Sequence, residues 1–371
     1  MQEWNETERN ERIDLLRRAL AARAPLMEER HQSACRLFNG FTEGWPALAV
    51  DLYGQTIVLH DYDESPLEGA RAAAIAGGFY QEALPWIRAI LWKARHGKTP
   101  EARRGVWLME GPVDRKVREN RVWYALDLQA SGDAGLYLDT RVLREWLRER
   151  MAGQRVLNTF AHTGSLGVAA RAGGAGRVVH LDLRREWLNL AKTSYTLNGF
   201  PIDRGDFIAG DFWMVTSRLI RAGELYDCII LDPPFFAVSP KGRVDIEKNF
   251  GRLINKVRPL VADGGCLIAI NNGVFVSGAQ YLRELEELCS DGYMEVEACL
   301  PVGGDFTGEG GLDDGVPLIT DPAPFNHSTK IAVLRIRRKD GARERVEVVR
   351  PVLPANDPDA PPAPAEEQVS E

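Results

Sequence analysis

Asp227-Cys228-Ile229-Ile230-Leu231-Asp232-Pro233-Pro234-Phe235-Phe236 is the stretch whose reading decides the fold. A short apolar run closed by an acid, two prolines and two aromatics fits a buried central strand whose backbone leaves the sheet abruptly. In an open α/β sheet, ligands bind beyond the carboxyl ends of the strands. An acid, fixed carbonyls and flat aromatic faces at that edge suit a planar, hydrogen-bonding substrate such as a nucleobase. Standing alone, the motif reads better as a strand followed by an ordinary proline-rich turn.

The flanking sequence does not leave it alone. From Arg155 onward, strand and helix patterns alternate, which implies a parallel sheet. Strands are expected at Val156–Phe160, Val178–Asp182, Phe207–Ala209, Cys228–Leu231, Cys266–Ile270, Met294–Leu300 and Lys330–Ile336. Helices are expected at Val142–Met151, Ser165–Ala172 and Arg185–Asn198. Each of the first four strands ends in a chemically useful loop. Asn158-Thr159-Phe160-Ala161-His162-Thr163-Gly164-Ser165 is a strand running through a Gly-containing loop into a helix, where backbone N–H groups and the helix N-terminus favour an anionic group. Asp182 follows 18 residues after Gly164, the place of the acid that accepts from ribose hydroxyls in nucleotide-binding α/β folds. Gly210-Asp211-Phe212 can hold an adenine amino group and stack its ring. Asp232-Pro233-Pro234-Phe235 comes fourth. Singly, each has a dull explanation: a βα turn, a helix cap, a loop acid. Together, on successive strands, they describe a nucleotide-like cofactor and a substrate.

The rest of the chain sets bounds. Its 371 residues suffice for two modest domains. No apolar stretch has the length of a membrane span, and the charged N-terminus lacks the apolar core of a signal peptide. The five cysteines are scattered, with no Cys-x-x-Cys pair, which favours reduced thiols in a cytoplasmic protein and speaks against structural zinc. Residues 1–34 read as an N-terminal helical segment, 35–130 as a small α+β domain, 131–345 as the sheet domain and 346–371 as a disordered, acidic, Pro-rich tail. A formal charge of −7 is not that of a simple nucleic-acid binder. The stretch Arg88–Arg121, however, holds ten basic residues against four acids, with Trp86, Trp92, Trp107 and Trp123 nearby as candidate stacking faces. A solvated mixed-charge surface over buried tryptophans reads equally well.

The order loop, acid, acid, Asp-Pro-Pro resembles the class I S-adenosylmethionine-dependent methyltransferases. Gly135-Leu136-Tyr137-Leu138-Asp139-Thr140-Arg141 is similar to the Gly-x-Phe-Leu-Asp-Gln-Arg signature of a bacterial rRNA methyltransferase family that includes the large-subunit cytosine-5 and guanine-N7 enzymes, with Thr140 in place of the Gln. Arg36–Gly54, Glu110-Gly111 and Val117-Arg118-Glu119-Asn120 resemble that family's small central domain. The family's N-terminal RNA-binding PUA module is not expected, because the 34 residues ahead of the match are too few to hold it.

The resemblance implies a Rossmann-like α/β methyltransferase sheet beside a smaller N-terminal α+β domain, with S-adenosyl-L-methionine as cofactor. It places the methionine part over Asn158, Phe160, Thr163, Gly164 and Ser165, the ribose on Asp182, and the adenine beside Asp211 and Phe212. The signature adds Asp139 and Arg141 to the cofactor site. Asp232, Pro233, Pro234, Phe235 and Asn271 are the expected catalytic residues. RNA, 23S rRNA or a ribosomal particle, is the expected partner, and monomer and homodimer stay open. Cytosine-5 methylation needs a cysteine thiolate that adds at C6. Cys228 and Cys266 lie at the wrong, amino-terminal ends of their strands; Cys266 is about 16 Å of extended chain from Asn271. Only Cys299 is not excluded by position. Nitrogen methylation fits better, either at guanine N7 or at an exocyclic amine bonded to Asp232 and the Pro233 carbonyl. Ile270-Asn271-Asn272 is similar to the Ser-Asn-Asn of the guanine-N7 branch, and Asn326-His327 is expected near the acceptor. His162 reads as a packing residue. A small-molecule or protein methyltransferase, a nicotinamide dehydrogenase and a non-catalytic ribosome-assembly factor are the competing readings.

Overall fold

A computed structural model describes residues 5–97, 99, 103–130, 134–239, 241–307 and 322–343. The tail expected from residue 346 lies outside the described residues. Helix α1 (Glu6–Arg23) begins at a capping box in which Asn5 and Glu8 satisfy one another's backbone N–H groups. There follow β1 (Ala34–Asn39), β2 (Leu48–Tyr53), β3 (Thr56–Asp61), α2 (Pro66–Ala83), β4 (Ala89–Ala94) and β5 (Val106–Met109). The five strands form one sheet in chain order, antiparallel except where α2 carries the chain back to make β3 and β4 parallel. Helix α2 runs unbroken through Gly77-Gly78. Leu16 and Ala19 of α1 share a core with Leu37, Leu48, Leu59 and Tyr80, so α1 is a layer of this unit and not a separate segment.

The second half is built from β6 (Lys116–Glu119), β7 (Val122–Ala125), α3 (Arg141–Arg150), β8 (Arg155–Thr159), α4 (Ser165–Ala172), β9 (Arg177–Asp182), α5 (Arg185–Leu197), β10 (Phe207–Ala209), α6 (Phe212–Arg221) and β11 (Tyr226–Leu231). A hairpin, β12 (Phe236–Ser239) and β13 (Gly242–Asp245), precedes α7 (Phe250–Val257), β14 (Val261–Asn271), α8 (Gly278–Cys289), β15 (Met294–Leu300) and β16 (Lys330–Ile336). The seven-stranded sheet has the order β10-β9-β8-β11-β14-β16-β15, parallel except for β16, which is antiparallel to both neighbours. Ile229, Ile230 and Leu231 are fully buried, as a central strand requires. The β6–β7 hairpin docks on α5: Trp123 N–H donates to Asn198 (2.9 Å) and Ala125 N–H to Ser194 (2.9 Å). Its buried Val117, Val122 and Tyr124 join a core shared by Leu188 and Ala191 of α5 and by Tyr53, Val58 and Leu91 of the small sheet.

Three of the four tryptophans of the basic stretch have partners of their own. Trp86 stacks on His31 at 3.8 Å, the Trp92 indole donates to Asp61, and Lys116 and Arg118 both lie over the Trp123 ring. Lys93 is buried and donates to the Ala130 carbonyl. Arg88, Arg95, Arg103, Arg104, Arg115, Lys116 and Arg121 remain exposed.

The two units meet at Asp305. Its fully buried carboxylate accepts from the Arg36 backbone N–H (3.0 Å) and pairs with Arg141, while its carbonyl accepts from Arg23 (2.9 Å). Removing one partner of such a buried pair strands the other. Asp305→Ala is expected to lose about 3 kcal/mol of stability, read as a lower urea midpoint; an unchanged midpoint would contradict the role.

Candidate active site

The chain moves outward from β8 through β9 and β10, then returns to place β11 on the other side of β8. Ligands bind at such a reversal. A cavity of about 310 Å³ opens there, and its lining includes Asp139, Phe160, Asp182, Asp211, Phe212, Asp232, Pro233 and Pro234.

Thr159 is paired in register with Leu231, and its hydroxyl donates to the Ile230 carbonyl (2.7 Å). The residues that follow those two, Phe160 and Asp232, are thus delivered side by side. The loop after β8 then takes left-handed backbone at Phe160 (φ 52°), His162 (φ 50°) and Gly164 (φ 77°). Two such conformations in non-glycines within three residues are uncommon and mark a strained functional loop. It is bolted to β9: Ala161 N–H donates to the Leu181 carbonyl (2.9 Å) and His162 N–H to the Asp182 carboxylate (2.7 Å). At Gly164 a Cβ would lie 2.6 Å from Ala191 and 3.1 Å from the His180 ring. That glycine answers to packing against α5 and to its positive φ. His180 is buried against Tyr195 and Phe207, and burial pushes its pKa down to about 3.

Asp182 is held by two backbone donors, His162 N–H on one oxygen and Arg184 N–H (2.9 Å) on the other. Each carboxylate oxygen keeps a further lone pair for a ligand hydroxyl. Asp211 caps α6 through Oδ1, which accepts from Met214 N–H at 3.0 Å, and Oδ2 is left for a ligand donor. Phe212 stacks on Phe160 (4.6 Å between centroids), so the two aromatics brace each other across adjacent loops. The β12–β13 hairpin roofs this end with Val238, Ser239 and Val244. Its Gly242 lies so close to Trp213 that a Cβ would approach the indole nitrogen to 2.4 Å.

Asp232 lines the same cavity, next to Phe160. Burial, and next the negative charge of Asp139, push its pKa up to about 7, with His162 acting weakly the other way. Asp139 in turn accepts from the Thr329 hydroxyl (2.7 Å).

Seven of the expected site residues do not line the cavity. Asn158 is buried within β8, and its amide nitrogen has no partner among the described residues. Thr163 is buried and bonds the Gly135 carbonyl, while Gly164 and Ser165 stand where α4 begins. Arg141 is turned to Asp305 and the Ala34 carbonyl, a tie between the two units. Asn271 is fully buried: its amide donates to the Ile246 carbonyl and accepts from Gly273 N–H, so it shapes the loop, and its neighbour Asn272 lines the cavity. Phe235 is exposed beyond the mouth.

Sequence reading missed Tyr137, Trp187, Trp213 and Thr329, which also line the cavity, and took His162 for a packing residue. His162 does both. Its ring lies 4.5 Å from Trp187 and 5.2 Å from Tyr137, completing an aromatic wall. Trp187 and Trp213, on the first turns of helices that follow Asp182 and Asp211, were the available signal. None of the five cysteines lines the cavity. Among the described residues no cluster is able to hold a metal ion, and no helix is long and apolar enough to cross a membrane.

The sequence profile of the S-adenosylmethionine-dependent methyltransferases matches residues 36–297. This chain belongs to that family. The methyltransferase is 31% identical over 254 residues to ribosomal RNA large subunit methyltransferase K of Neisseria meningitidis serogroup B, covering 64% of this chain and 69% of that one. It is 29% identical over 269 residues to ribosomal RNA large subunit methyltransferase I of Aeromonas salmonicida, covering 70% and 68%. The chain spans about two thirds of the length of the curated relatives it matches. In fold it is similar to SMU.776 in a crystal structure with SAH, at a TM-score of 0.77 and 21% identity, covering 91% of this chain and 83% of that one.

S-adenosyl-L-methionine is the cofactor of the methyltransferase. The cavity fits it: two acids held by backbone donors with acceptor capacity to spare, aromatic walls, and a polar end at Asp232. Asp182→Ala is expected to weaken S-adenosylhomocysteine binding about tenfold to hundredfold, measured by calorimetry; unchanged affinity would remove Asp182 from the cofactor site.

Proposed function

We propose that the chain methylates a nitrogen of a base in large-subunit ribosomal RNA, with Asp232 as the group that orients the acceptor and takes its proton. The acceptor class is carried over from the relatives named as ribosomal RNA large subunit methyltransferases. The observation that carries the choice of atom is a cavity lined by Asp232 and Pro233 and by no cysteine; burial and the charge of Asp139 also push the Asp232 pKa up. Addition of a thiolate to C6 is the step that cytosine-5 chemistry requires. Cys228 and Cys266 face each other deep in β11 and β14, and Cys299 lies on β15 away from the cavity.

When bound, S-adenosylmethionine supplies a methyl already activated on a sulfonium. The protein's share is orientation, exclusion of water and a path for a proton. In the proposed geometry an exocyclic amine donates one hydrogen to the Asp232 carboxylate and one to the Pro233 carbonyl. That pairing turns the nitrogen lone pair toward the cofactor. Proline fixes φ, so Pro233-Pro234 holds that carbonyl with little backbone freedom. As the nitrogen becomes cationic, its proton passes to Asp232, whose affinity is high enough to take it and low enough to release it to water. Phe235, exposed just outside, offers a stacking face for the base or its neighbour. The exposed arginines of the small unit are available to RNA phosphates. An enzyme of this kind with five unpaired cysteines belongs in the cytoplasm.

Tritiated methyl transfer to rRNA from a deletion strain, followed by nucleoside mass spectrometry, tests the reading. One labelled methylguanosine or methyladenosine is expected; 5-methylcytidine would overturn it. Asp232→Ala is expected to abolish transfer while leaving S-adenosylhomocysteine affinity within about twofold, because the carboxylate faces the acceptor and not the cofactor's ribose.

The pH profile separates the two nitrogen acceptors. An amine acceptor needs the Asp232 carboxylate ionised, so turnover rises with pH to half its plateau near 7, and Asp232→Asn removes that limb. Guanine N7 has no proton to lose and would show no such limb from Asp232.

A further inference from the structure

We propose that Lys330 is a positioning residue for the transfer site: its buried ammonium ties together two loops that wall the cavity, and so holds Thr329 against Asp139 beside Asp232. This rests on the reading of Asp232 as the proton acceptor.

Lys330 opens β16 in register with Asn271 and has no solvent exposure. A buried ammonium is costly unless its hydrogens are taken up. Here they go to backbone carbonyls, Gly273 at 3.0 Å and Ser328. The positions of those carbonyls give the residue its meaning. Gly273 separates Asn272, which lines the cofactor cavity, from Val274, which lines a second groove between the two units. Ser328 separates Thr329, on the cavity side, from His327, on the groove side. The two loops are therefore the partition between cavity and groove, and Lys330 is the tie that crosses it. A carboxylate partner would have made the lysine an ordinary ion pair. Two carbonyls make it a clamp on backbone.

The consequence reaches the chemistry in two steps. Thr329, next to the clamped carbonyl, donates to Asp139, and Asp139 is the charge that raises Asp232 beyond the effect of burial. The titratable and charged groups facing this cluster are His162 beside Asp232, and His327, Arg36 and Asp305 around the partition. Burial lowers Lys330 itself to about 8, and a neutral amine still has two hydrogens to donate, so the clamp survives its deprotonation.

The test needs neither cofactor nor RNA. In protein carrying 13C at the aspartate carboxyls, the Asp232 signal is identified by its absence in Asp232→Asn and titrated. Wild type is expected to titrate near 7. In Lys330→Met, and in Thr329→Val as a milder cut of the same path, Asp139 leaves its place, and the Asp232 titration falls by about one unit toward the ordinary carboxylate range. Loss of the lysine's charge alone would move it upward, so direction separates the clamp from simple electrostatics. Transfer to rRNA is expected to drop about tenfold in both variants, with the acid limb shifted down. An Asp232 titration that is unchanged or raised in both folded variants overturns the proposal. Absence of rRNA methylation by wild type would overturn the proposed function and leave the carboxyl titration to judge Lys330 on its own.

Discussion

The pairing of β8 with β11 is the constraint on which the site depends. Both strands are buried on their two faces, and both end at one level, Thr159 opposite Leu231. Parallel register therefore sets the cofactor loop and the Asp-Pro-Pro loop against each other at the reversal of strand order. The Thr159 hydroxyl, bonded to the carbonyl of Ile230, locks that level. A slip of one residue would turn each side chain to the opposite face of the sheet.

From this junction the loops support one another in sequence. Asp182 accepts from His162 N–H, which sustains the left-handed turns of the β8 loop, and also from Arg184 N–H. One carboxylate thus shapes the loop and offers its remaining lone pairs to a ligand. Phe160 and Phe212 brace the next loop, and the β12–β13 hairpin closes over Trp213. Strain at Phe160 and His162 persists because Leu181 and Asp182 at the end of β9, and Phe212 at the start of α6, hold the loop in place.

The small unit is joined to this machinery through charge buried without solvent. Asp305 gathers Arg141, the Arg36 backbone and, through its carbonyl, Arg23. Arg141 lies two residues beyond Asp139, so the chain that carries the tie between units also carries an acid of the cavity. Packing of the units and geometry of the site are consequently linked through one short segment.

Local pattern in the sequence determined the alternating strands and helices, the four loops at their carboxyl ends, and the acids Asp182, Asp211 and Asp232. The elements follow from periodicity, and the loops from their order on successive strands. Helices α4 and α5 and strands β10, β15 and β16 fall within a residue of their expected limits for that reason. Tertiary structure alone decided which side of a loop a residue presents. Asn271 and Asn272 are adjacent and chemically identical, yet packing against Ile246 buries one and leaves the other in the cavity. Arg141 pairs with Asp305, a carboxylate distant in sequence. The raised pKa of Asp232 and the clamp at Lys330 were equally beyond the sequence, since burial and the approach of Asp139 exist only once the chain has folded.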